Sequence, residues 1–166
     1  MSAMPGPRDF VINTGPLLAL AAAGQLGVVN SLFSRVVVPA EVCQEIAAGG
    51  RTQFAREEFA AAAGFERRST PTPLPPFLRA ILDPGEAAVI AVALAENIPT
   101  VCIDETLGRR YARLHGLTVT GSLGILIQAK QQCLPVSVRA AVTQMRQRGI
   151  WLSPALEAEE LRLAGE

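Results

Sequence analysis

The chain has 166 residues, of which 49% are hydrophobic and 18% charged, with fifteen basic residues balancing fifteen acidic ones. That length fits one domain, able to bury roughly 70% of its unfolded surface without disulfide or metal staples. The apolar content excludes global disorder, and the zero net charge excludes a uniformly basic nucleic-acid binder, so any phosphate contact must come from a local patch.

Residues 1–8, with two prolines and a glycine, form an expected frayed leader. Phe10-Val-Ile is a short apolar strand ending at Asn13-Thr14, a fitting helix cap, with Pro16 tolerated in the first turn. Helices are expected over 17–23 and 25–33, with Gly24 between them. Val36-Val-Val38, all β-branched, predicts the next strand, and Pro39 opens a helix that Gly49-Gly50 stops near Ala48. Residues 51–63 have a helical pattern, and 69–76, with four prolines, is a loop. Asp83 caps a strongly apolar helix running to Glu96. A buried-type strand over 99–103, an Arg-rich helix over 105–115, a strand over 117–120 and a helix to Gln132 follow. Helices over 136–148 and 154–164 close the chain, residues 151–166 forming an extension expected to pack on the same domain. Short apolar strands alternate with helices and no hairpin signal joins neighbouring strands. The pattern predicts an α/β fold of three α/β/α layers around a mainly parallel sheet of four to five strands.

The apolar run Ala87–Ala95 is the longest and falls well short of the roughly 20 residues a membrane span needs. Cys43, Cys102 and Cys133 are far apart and lack zinc-ligand spacing, so they read as reduced core thiols of a cytoplasmic protein. The single histidine, His115, before Gly116, reads as a helix terminus and rules out a His-rich metal site.

Ligands of an open parallel sheet bind beyond the carboxyl ends of its strands. The polar residues there are Asn13-Thr14, Asp104-Glu105 and Gly121-Ser122. Asp104 either caps the following helix or projects into the crevice. Glu86 stands in the first turn of its helix, where a carboxylate also suits the dipole, and Glu45 stands near the end of the helix after Pro39. Carboxylates that converge on one crevice repel one another, and a hard cation such as Mg²⁺ or Mn²⁺ relieves that repulsion and can assist phosphodiester hydrolysis. Arg109 and Arg113 share one helical face and either meet phosphate or pair with neighbouring acids such as Glu105. No aromatic stacking platform is evident in a chain with one tyrosine and one tryptophan.

Several spaced motifs occur in order: Val11-Ile-Asn-Thr-Gly-Pro-Leu-Leu-Ala-Leu, Val36-Val-Val-Pro-Ala-Glu-Val-Cys-Gln-Glu-Ile, Leu82-Asp-Pro-Gly-Glu-Ala, Val101-Cys-Ile-Asp-Glu and Thr120-Gly-Ser-Leu-Gly. Over roughly residues 10–150 the chain resembles PIN-domain proteins, closest to a VapC-like branch of short prokaryotic members. The resemblance implies a Mg²⁺- or Mn²⁺-dependent ribonuclease, often a toxin held by an antitoxin partner. Its acidic positions fall on Asn13, Glu45, Glu86 and Asp104, its hydroxyl position on Ser122, and Thr14, Arg109 and Arg113 are expected on the RNA side. Asn13 departs from the family pattern, because an amide oxygen can ligate a cation but brings no charge, and Thr106 stands where a basic residue is common.

The leading expectation is therefore a metal-dependent ribonuclease with RNA as substrate, with a toxin role as the resemblance implies. The alternative is a catalytically weak PIN fold that binds nucleic acid or protein, motivated by Asn13 and by a mean hydropathy of +0.29, which also suggests a homodimer. A dinucleotide-binding reading fails because no Gly-x-Gly-x-x-Gly follows the first strand.

Overall fold

A computed structural model describes residues 9–50 and 53–166. The expected leader 1–8 and residues 51–52 of the expected helix 51–63 lie outside the described residues. The element order is β1 (Asp9–Ile12), α1 (Thr14–Ala22), α2 (Leu26–Leu32), β2 (Arg35–Val38), α3 (Ala40–Ala48), α4 (Gln53–Ala61), β3 (Phe65–Arg67), α5 (Pro76–Ile81), α6 (Pro84–Ala95), β4 (Thr100–Cys102), α7 (Thr106–Leu114), β5 (Thr118–Thr120), α8 (Ser122–Gln131), α9 (Val138–Gln147) and α10 (Pro154–Leu163).

All strand pairings are parallel, in the order β3-β2-β1-β4-β5. Each strand therefore needs a helical crossover, and helices cover the sheet. The chain runs outward from β1 through β2 to β3, then returns to the far side of β1 for β4 and β5. That reversal opens a crevice beyond the carboxyl ends of β1 and β4. Val11 pairs with Val37 on one side and Val101 on the other, and Ile12 pairs with Cys102.

The core is built from short, almost wholly apolar strands and two helices with little polar surface. Phe10, Val11 and Ile12 are fully buried, and Phe10 stacks on Phe33 with ring centroids 4.1 Å apart. Helix α6 buries nine residues in succession from Gly85 to Ala93, as a helix apolar on all sides must. Burying each large aliphatic side chain here stabilises the fold by about 1.5–3 kcal/mol. Gly24 at φ 67° and Gly116 at φ 79° end helices in a left-handed conformation that side chains with a Cβ disfavour.

Several local expectations change. Phe65–Arg67 is a strand, too short for a periodicity signal, that pairs with β2 and completes the fifth strand. The proline-rich loop ends sooner than its composition suggests, because Pro75 and Pro76 start the short helix α5. The cysteines are not all core thiols: Cys102 is buried, Cys43 half-buried, and Cys133 exposed at φ 62° just past α8. Among the described residues no single helix is long and apolar enough to cross a membrane.

Candidate metal centre

Asn13 directly follows β1, and its backbone N–H bonds Cys102 O on β4 at 3.0 Å, so Thr14 and Asp104 emerge side by side from adjacent strands. The close approach is visible at Gly15, where an added Cβ would lie 4.0 Å from Asp104 Cβ. Asn13 occupies the N-cap position of α1 but does not cap it with its side chain. Its amide is buried instead, with Oδ1 lacking a hydrogen-bond partner.

Asp104 does not cap the helix after it. Glu105 holds the N-cap position of α7, and Asp104 reaches across to α8. Its Oδ1 accepts from the Ser122 N–H at 2.7 Å and its Oδ2 from the Ser122 hydroxyl at 2.9 Å. Desolvation pushes the Asp104 carboxyl above the ordinary aspartate range, while the two Ser122 bonds and the Arg109 charge pull it back. Arg109 Nη1 donates to Ile103 O at 2.8 Å and stays close to the Asp104 carboxylate. Gly121 makes this packing possible: a Cβ there would lie 2.7 Å from Asp104 Oδ1 and 2.9 Å from Arg109 Nη1.

On the other side of the crevice, Glu45 accepts from the Thr14 hydroxyl and from the Gly85 N–H, the latter at 3.1 Å. This ties α3 to the start of α6, two helices that pack together. Gly85 leaves the needed space, since a Cβ on it would stand 2.6 Å from Glu45 Oε1. Glu86 follows in the first turn of α6, its N–H capped by Asp83 Oδ1 at 2.9 Å. Unlike an ordinary dipole-facing acid, Glu86 is only 3% exposed, and its Oε1 is buried without a partner. Burial first, then the charges of Asp83 and Glu105, push its pKa up to about 7. Gly108 on α7 completes the packing, with a virtual Cβ only 3.0 Å from Glu86 Oε1.

The carboxylates that group most tightly are Asp83, Glu86 and Glu105, whose candidate ligand oxygens lie within 4.8 Å of one another. Glu86 was expected from the sequence; Asp83 and Glu105 were not. Their signals were Glu105 directly after Asp104 and Asp83 three residues before Glu86, both easily assigned to capping. Glu45 and Asp104 join the same strand edge through Gly85 and Gly15 rather than through that trio. Ser122 and Arg109 sit with Asp104, and Thr14 sits with Glu45. Arg113 is exposed on α7 and does not line the cavity beside Asp104. Among the described residues no lysine or arginine forms an ion pair with Asp83, Glu86 or Glu105.

The strand order reverses at a carboxyl edge lined by acids from α3, α6 and the end of β4, with the neutral Asn13 amide at the end of β1. A match to the PIN domain covers residues 9–166. The chain belongs to the PIN-domain family. No curated protein and no solved structure matches it. The PIN match extends past residue 150 and takes in α9 and α10, so the C-terminal segment falls within the family's span. PIN domains are nuclease-type folds that generally depend on divalent metal, and the grouped acids of this one suit such an ion. The buried orphan oxygen of Glu86 is the test of fit. An unpaired buried carboxylate oxygen is costly, and a cation is the partner that an all-oxygen donor set accepts best. Asn13 Oδ1, also orphaned, is a neutral oxygen donor of the same kind.

Proposed function

We propose that this PIN-domain protein is a Mg²⁺- or Mn²⁺-dependent ribonuclease. The observation that carries the reading is the raised Glu86 carboxyl, one buried oxygen of which has no partner, beside Asp83 and Glu105 on the crevice edge that also receives Asp104 and Glu45. Glu86, Asp104 and Glu45 hold the ion, with Asn13 as a neutral donor and with Asp83 and Glu105 extending the carboxylate set. A divalent ion bound there would supply Lewis acidity for cleavage of an RNA phosphodiester. The chain's own residues do the rest. Ser122 fixes both oxygens of Asp104, the Thr14 hydroxyl and Gly85 N–H orient Glu45, and Arg109 offers its remaining N–H groups to an RNA phosphate, with Arg113 further along α7.

A toxin role with an antitoxin partner, and a homodimer, belong to the same proposal. Phe77 and Ile81 on α5 and Leu107 and Leu114 on α7 expose large apolar side chains that support a protein partner. The second reading, a binding module that does not turn over RNA, is favoured by Asn13, which supplies no charge where the family carries an acid. Calorimetric titration of Mn²⁺ into wild type and Asp104→Asn, followed by cleavage of single-stranded RNA, separates the two. The nuclease reading expects binding and cleavage that both fall in the variant. Metal binding without cleavage would leave the binding module, and no binding at millimolar Mn²⁺ would remove the metal centre.

A further inference from the structure

Beside the carboxylates lies a cavity of about 450 Å³ whose far wall comes from the C-terminal segment. Asp104, Arg109, Thr106, Thr120 and Ser122 form the near side; Leu152, Leu156 and Glu160 face them. Helix α10 buries no residue of its own and packs on α8 and α9. It is fastened at its ends, Glu157 pairing with Arg146, and Glu166 pairing with Lys130 at 3.1 Å and accepting from the Arg139 N–H at 2.8 Å. Glu160 is half-buried, and burial raises its carboxyl above the ordinary glutamate range while the charge of Arg109 pulls it back, yet the two form no ion pair within 4 Å. Arg109, beside Asp104, and Glu160 thus stand on opposite walls of one cavity that Val119, Leu152 and Leu156 also line with apolar surface.

A ligand that satisfies both Arg109 and Glu160 carries an anion at one end and hydrogen-bond donors at the other, with an apolar body between. A nucleotide has that form. Arg109 uses one N–H on Ile103 O and keeps others for a phosphate. An ionised carboxylate only accepts hydrogen bonds. Guanine is the base whose Watson–Crick edge offers two adjacent donors, N1–H and the N2 amino group, to the two oxygens of one carboxylate. Uracil offers a single N–H flanked by two carbonyl oxygens that a carboxylate repels.

We propose that this cavity is a nucleotide subsite selective for guanine, with Arg109 on the phosphate, Leu152 and Leu156 against the base, and Glu160 reading its donor edge. The proposal rests on the nuclease reading for its biological ligand, guanine in single-stranded RNA, but its chemistry is independent of catalysis. Trp151, the single tryptophan, is 81% exposed next to Leu152 and serves as a fluorescent reporter.

The test uses the full chain in metal-free buffer containing a chelator. Binding of GMP, UMP, the RNA pentamers UUGUU and UUUUU is followed by Trp151 fluorescence and by calorimetry, in wild type and in Glu160→Gln. The expected result is a guanine preference of about tenfold or more that collapses in Glu160→Gln, in line with what one well-placed bidentate base contact contributes. Preference among the pentamers identifies RNA as the source of the guanine; preference confined to GMP identifies a free nucleotide, and either supports the subsite. Equal affinity for GMP and UMP in wild type, or a uniform tightening of every ligand in Glu160→Gln, overturns it, the latter because Glu160 would then merely repel phosphate. Cleavage of RNA by a wild type without base preference would remove the subsite and leave the nuclease. Guanine selectivity without cleavage would do the reverse.

Discussion

The two ends of the sheet treat acidic residues in opposite ways. At the amino end, Arg35 at the start of β2 bonds Asp9, Glu66 and Glu96, and Arg68, which follows β3, bonds the same Glu66 and Glu96. Those arginines hold Glu66 and Glu96 below the ordinary carboxylate range. At the carboxyl end, Asp83, Glu86 and Glu105 face one another with no basic partner, and Glu86 and Asp104 are pushed up. A fold that neutralises its acids at one edge could have done so at the other. Leaving them unpaired costs stability, and the expense is consistent with a site kept for a ligand.

The sharpest way to break that contrast is Asp104→Asn, which removes a charge but leaves a side chain able to accept from Ser122. RNA cleavage should fall by about a hundredfold or more, the scale lost when one charged group at a reacting centre is removed, while the melting temperature changes little. Equal cleavage rates in wild type and variant would remove Asp104 from the reaction.

Gly121→Ala tests whether the close packing at the carboxyl edge matters. The new methyl would press on Asp104 Oδ1 and Arg109 Nη1, and overpacking of this kind costs about 1–3 kcal/mol. Denaturant unfolding should show that loss, together with weaker Mn²⁺ binding. Unaltered unfolding and binding would mean that Asp104 and Arg109 yield freely to the added methyl.

Glu86 gives the contrast a pH dependence. Its folded pKa, raised to about 7 from 4.5, means that the folded state binds a proton more tightly than the unfolded chain. Its contribution is therefore intact below about pH 4.5 and is lost as the pH rises through about 7. Glu86→Gln should remove that loss, making the variant more stable than wild type at pH 8 by about 1–3 kcal/mol. Mn²⁺ should raise the wild-type melting temperature more at pH 8 than at pH 5.5, since binding must displace the proton. A variant no more stable than wild type across this range would contradict the raised pKa.

The smallest effect belongs to the amino edge. Arg35→Ala should cost about 1 kcal/mol, weakened further in high salt, because its partners are part-exposed and such pairs contribute little. Glu66 and Glu96 have lowered pKa values, so their share of stability is present near neutral pH and is lost as the pH falls below the ordinary carboxylate value. Mn²⁺ affinity should be untouched; a change there would mean the two edges communicate.

Much of this was legible in the chain. Val36-Val-Val38 and the apolar run Ala87–Ala95 fix a strand and a buried helix by composition, and strands ending in Asn13, Asp104 and Ser122 put polar residues at one edge because parallel strands share a direction. Local motifs also carried the resemblance to PIN domains, since glycine and acid spacings around Gly85-Glu86 and Gly121-Ser122 are contiguous in sequence. What sequence could not rank was which acid is buried, which is bonded and which is free. Asp83 and Glu105 look like helix caps when read locally, and Glu105 becomes a neighbour of Glu86 only because α7 packs on α6. Glu160, fifty-six residues after Asp104, reaches the site only because α10 folds back over α8. Backbone pattern is set by neighbours along the chain, whereas desolvation, charge–charge repulsion and cavity walls are set by neighbours in space, and only the tertiary structure decides those.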